Sequence, residues 1–95
     1  MLHDCRVTIC GKRWRLEYSR LPRDTDGSCD APTVTRKRLR IARRLRQRPR
    51  ALLETLIHEA MHAAGWPLSE EHVEQTAEDV TRILWNQGFR LTGGQ

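Results

Sequence analysis

Two histidines four residues apart, with a glutamate directly after the first, make His58-Glu59-Ala60-Met61-His62 the most chemically loaded stretch of the chain. On an α-helix that spacing puts both imidazoles one turn apart on one face, so both can reach a single zinc ion (Zn2+) while Glu59 flanks the water bound there. The chemistry this permits is metal-assisted hydrolysis, in which the ion lowers the pKa of its water and Glu59 is placed to take the water proton. Such a site needs a third protein ligand and keeps the fourth position for water.

The elements that must position these residues are legible downstream of Pro49, a residue suited to a first helical turn. Leu53, Leu56, Ile57, Ala60, Met61 and Ala64 recur at spacings of three and four, which predicts an amphipathic helix running to Gly65. Its stripe centres on Leu53, Ala60 and Ala64, with the histidines opposite. Gly65-Trp66-Pro67-Leu68 breaks the pattern. Ser69 then reads as an N-cap, with Glu70 and Glu71 in the first turn of a second helix whose stripe is Val73, Ala77, Val80 and Leu84, with Ile83 alongside, ending near Gly88. Two antiparallel helices joined by a short turn place residues equally far from the turn side by side. Ala60 lies five residues before Gly65 and Glu74 five after Ser69, so Glu74 is the expected third ligand. Glu70, Glu71, His72 and Glu78 are the alternatives.

Upstream, Cys5, Val7 and Ile9 alternate with polar residues, as do Trp14, Leu16 and Tyr18, which predicts a hairpin turning at Gly11-Lys12. The stretch from Ser19 to Thr33, with its prolines and aspartates, reads as a loop. A strand at about 37–42 follows, then a turn ending near Pro49. The expected fold is α+β: a small antiparallel sheet of about three strands packed on the active-site helix, followed by an antiparallel glutamate helix. Its 95 residues fit one domain, 1–95. Only 38% of residues are apolar and only five are aromatic, so the core is small and a bound metal would matter to stability. Three cysteines, Cys5, Cys10 and Cys29, form no close pair and are expected to stay reduced. There is no long apolar run for a membrane span and no leader-like start, so a cytoplasmic location is expected.

The net charge of +5 is unevenly spread. Residues 1–35 hold six bases and five acids, residues 36–50 nine bases and no acid, and residues 51–95 two bases and seven acids. Arg36, Lys37, Arg38, Arg40, Arg43 and Arg44 could hold nucleic acid phosphates, since arginine keeps its charge and bonds in a bidentate manner. No aromatic residue interrupts the run to stack on a base. A zinc-stabilised, non-catalytic nucleic-acid-binding accessory module using segment 36–50 is therefore the rival to the hydrolase. Were the strand at 37–42 an edge, an extended peptide could pair with it, and its arginines would favour acidic substrates.

Residues 48–88 resemble the zincin metallopeptidases, and among them the gluzincins, through His58, Glu59 and His62 followed by a glutamate-bearing helix. The likeness is greatest to minimal, phage-type, SprT-like zinc proteases. That resemblance implies His58, His62 and Glu74 as ligands, Glu59 as general base and a peptide or protein substrate. The chain departs from the larger gluzincins in its short interval from His62 to Glu74. Glu78 stands where an aspartate is usual, and neither a third histidine nor an SprT-type zinc ribbon is present.

Overall fold

A computed structural model describes residues 2–92 of the chain. Four strands, β1 (Cys5–Ile9), β2 (Lys12–Ser19), β3 (Gly27–Cys29) and β4 (Arg38–Ala42), precede a 3₁₀ turn and two helices, α1 (Pro49–Ala64) and α2 (Glu70–Asn86). The sheet runs in the order β1-β2-β4-β3. It is mixed: β1 with β2 and β3 with β4 are antiparallel, whereas β2 and β4 are parallel. The α+β class holds, but four strands replace the expected three, and the sheet is not purely antiparallel.

The additional strand, β3, lies inside the stretch expected to be a loop. Three residues with one apolar side chain carry no periodicity to read, and what holds β3 is polar. Asp30 accepts the Arg38 N–H at 2.9 Å, and the Ala42 N–H donates to Asp26 O at 2.7 Å. Arg44 clamps the approach to β3, donating to the carbonyls of Pro22, Arg23 and Thr25 and to the Asp26 carboxylate.

The first hairpin turns on Cys10-Gly11, not Gly11-Lys12: Ile9 pairs with Lys12, and both turn residues have positive φ, 49° and 78°. This is the two-residue turn whose twist matches that of the strands, with glycine at one of its left-handed positions. Alternation could not separate the two registers. Sliding the pairing by two residues still sets apolar against apolar, because side-chain faces repeat every second residue.

Trp14, Leu39 and Ala63 form one part of the core, and Tyr18, Ile41, Ala42, Leu45 and Leu52 another. Helix α1 lies between the sheet, where it packs on β3 and β4, and α2. It therefore has two packed sides. The most buried line on α1 is Leu52, Thr55, Glu59 and Ala63 rather than the expected stripe. Leu53 and Leu56 instead border Trp85, Phe89 and Leu91. On α2 the buried residues are Val73, Ala77 and Thr81, while Ile83 is exposed. Ser69 caps α2, accepting the His72 N–H at 3.1 Å. Gly88, at φ 92°, lets the chain leave the helix with the Phe89 N–H bonded to Leu84 O. Among the described residues no helix is long and apolar enough to cross a membrane.

Candidate metal centre

His58 and His62 project from the C-terminal half of α1 with ring centroids 4.9 Å apart. They flank the buried line of the helix instead of standing opposite its packed face. At that flank β3 and the start of α2 leave an opening. Glu70, the first residue of α2, closes it: its Oε1 is 2.8 Å from His58 Nε2 and its Oε2 is 2.8 Å from His62 Nε2. One ligand atom from each of the three residues lies within 4.8 Å of the others.

The carboxylate that meets both imidazoles is thus that of Glu70, while Glu74, expected from sequence beside them, stands apart from this group. A residue turns the helix by about 100°, so Glu70 stands about 40° nearer the packed stripe than Glu74 however α2 is rotated, and equal depth from the turn takes no account of the side a residue faces. Glu74 lines a neighbouring hollow with Asp24, Asp26, Glu54, His58 and Glu59. Glu71 and His72 are exposed and, like Glu78, line no part of the site, and Glu78 lies 3.9 Å from Arg82.

Glu59 is 6% exposed, on the sheet-facing line of α1. Burial pushes its carboxyl up to about 7, against the pull of His58 and with the charge of Glu70 adding to the rise. The group beside it is Gly27. A Cβ there would come within 2.9 Å of Glu59 Oε2 and of Thr55 Cγ2. The absent side chain is what lets β3 approach the carboxylate. Nothing in the sequence pattern marked Gly27, because its role is a contact across 32 positions of chain.

Two hollows of about 300 Å³ each meet at Gly27, His58 and Glu59. One is walled by Ser28, Cys29, His62, Trp66 and Glu70. The other is the acidic one that holds Glu74. Together they make a groove running past Glu59 alongside β3. The free edge of the sheet on this side belongs to β3; β4, the edge expected from sequence, is enclosed between β2 and β3. Burial, together with the charges of Glu59 and Asp30, pushes the Cys29 thiol up to about 12, so at neutral pH it is protonated and poorly suited to act as a nucleophile. Tyr18 is buried in the core with Ile41, Leu45 and Leu52 and lines neither hollow.

The basic run does not form one surface. Arg44 is taken up by the loop before β3, Arg40 lies 3.7 Å from Asp30, and Arg43 borders a separate hollow with Arg20 and Arg23. Arg36, Lys37 and Arg38 lie together elsewhere. In comparisons with known proteins, no family model, curated protein or solved structure matches the chain.

Proposed function

We propose that the protein is a zinc-dependent peptidase with His58, His62 and Glu70 as ligands and Glu59 as general base. The observation that carries this reading is the convergence of two imidazole nitrogens and a carboxylate on one point, with a second, buried carboxyl on the intervening turn of the same helix. The donor types fit the ion, two nitrogens and one oxygen being a usual catalytic zinc set; the Glu70 oxygens lie 2.8 Å from the imidazole nitrogens, and a small shift of this exposed side chain would open them to the roughly 3.3–3.6 Å between tetrahedral ligands held at about 2.0–2.2 Å. A zinc ion held there supplies Lewis acidity toward water and carbonyl oxygen. Glu59 accepts the water proton and delivers it to the amine that leaves. Its burial against Gly27 fixes the carboxylate beside the reacting atoms and keeps its affinity for a proton high enough for both transfers.

The substrate is an extended peptide laid along the free edge of β3, where main-chain pairing supplies register. Asp24, Asp26, Glu54 and Glu74 line one side of the groove, and that lining favours a lysine or arginine side chain next to the scissile bond. The sequence-based expectation of acidic substrates rested on β4 being the edge and falls with it.

The test combines metal analysis and turnover. The purified protein should hold one zinc, lost in His58→Ala and His62→Ala, and should cleave peptides carrying a basic residue faster than acidic ones. Glu59→Gln should keep the metal and lose cleavage by about 100-fold or more. Full zinc occupancy in both histidine variants, or undiminished cleavage by Glu59→Gln, would refute the proposal.

A further inference from the structure

The sheet has a second face, turned away from α1, and among the described residues the main helix contacts with the sheet are those of α1. The strand registers set Arg6, Arg15 and Arg38 abreast across β1, β2 and β4. Arg13 points to the same side two residues before Arg15, since side chains alternate along a strand. Arg36 and Lys37, just before β4, line the same shallow concavity of about 650 Å³, together with Trp14, Asp30, Val34 and Thr35. Asp30 is the sole carboxylate among the lining residues, and it is already held by the Arg38 N–H and the Arg40 guanidinium. Arg38 reaches Glu17 at 3.5 Å. Among the described residues no carboxylate pairs with Arg6, Arg13, Arg15 or Arg36.

Like charges set opposite one another across strands destabilise a sheet. Arg6 and Arg15 face each other directly, and Arg15 faces Arg38. These exposed outer positions need only a polar residue for the fold, so the arginines add repulsion that a polyanion would relieve. We infer that this face binds the phosphate backbone of duplex nucleic acid without reading its sequence. The strand positions that carry the arginines are about 4.8 Å apart across strands and about 7 Å apart along them, close enough for their long side chains to reach phosphates on both sides of a minor groove about 6 Å wide. A single strand held without sequence preference stacks its bases on exposed aromatics. This face offers none: Trp14 is 2% exposed, with Lys37 Nζ 5.6 Å from its ring centroid. The surface is distinct from the groove along β3 and does not rest on the peptidase reading.

Fluorescence anisotropy with a labelled DNA duplex of about 20 base pairs tests the inference. Neutralising about five phosphates gives a log–log salt slope near −4.5, a loss of several hundred-fold in affinity between about 50 and 200 mM salt. The triple variant Arg6→Ser, Arg13→Ser, Arg15→Ser should bind at least about 30-fold more weakly at the lower salt, with the slope reduced by about one per arginine removed. Lysine at the same three positions should restore most of the binding. A control with equal charge loss elsewhere, Arg20→Ser, Arg43→Ser, Arg82→Ser, should stay within about threefold of the parent. The inference is overturned by absence of duplex binding at about 50 mM salt, by equal losses in the two triple variants, or by a clear preference for single strands or heparin over duplex.

Discussion

At the residue scale the proposed site turns on which glutamate meets the two histidines, and the contact made by Glu70 separates what spacing encodes from what packing decides. His58, Glu59 and His62 were legible because their relation is local: a helix of known pitch fixes it. The contact made by Glu70 was not, because equal depth from the turn ranks the glutamates of α2 by their distance along the helix and ignores the side each one faces, on which Glu70 is about 40° nearer the packed stripe than Glu74. Glu70→Ala is expected to weaken zinc binding by more than about 100-fold, beyond the range produced by loss of an outer partner. Glu74→Ala should stay within a few-fold and instead lower the preference for basic peptides. Competitive titration with a zinc-binding dye on both variants decides it. Collapse in Glu74→Ala with parent-like binding in Glu70→Ala would reassign the ligand.

At the scale of elements, both helices, their break at Gly65 and the Ser69 cap were readable, as were the first hairpin and β4, because each follows from local periodicity or capping chemistry. The turn register and β3 were not. The first is degenerate under a two-residue slide, and β3 depends on Asp30, Arg44 and the Ala42 N–H reaching across the chain. The consequence for function lies in Gly27, where β3 meets α1. Gly27→Ala forces a methyl to within 2.9 Å of Thr55 Cγ2 and Glu59 Oε2, an overpacking that costs about 1–3 kcal/mol. For a chain of this size the melting temperature should fall by roughly 5–20 °C. Peptide turnover measured well below the new midpoint should fall as well, because either β3 retreats from α1 or Glu59 is turned out of place. Parent-like melting and turnover would show that the strand and helix have slack at this contact.

At the scale of the whole molecule, folding sorts charge in space in a way its distribution along the sequence does not show: arginines from residues 6–15 and 36–38 crowd the outer face of the sheet, while acids from both halves of the chain gather around the groove. The core between them is small, and a zinc ion held as proposed by His58, His62 and Glu70 would tie α1 to the start of α2. An ion that binds only the folded chain stabilises it by about 2.7 kcal/mol at 100 times its dissociation constant. Stripping the metal with a chelator should therefore lower the midpoint of thermal unfolding on the order of 10 °C. A midpoint indifferent to chelator, once the metal is shown to have left, would mean that the hairpin of helices holds without it. The brevity of β3 has a further effect. An unpaired strand edge invites other chains to add to it, and long, flat, apolar edges seed fibrils. The edge beside the groove is three residues long, Gly27–Cys29, and it begins with the least strand-prone of them. It can grip a short stretch of foreign backbone and then run out of partners, so a second copy of the sheet finds too little to dock on, and the molecule can leave this edge open in concentrated solution without becoming a template for its own aggregation.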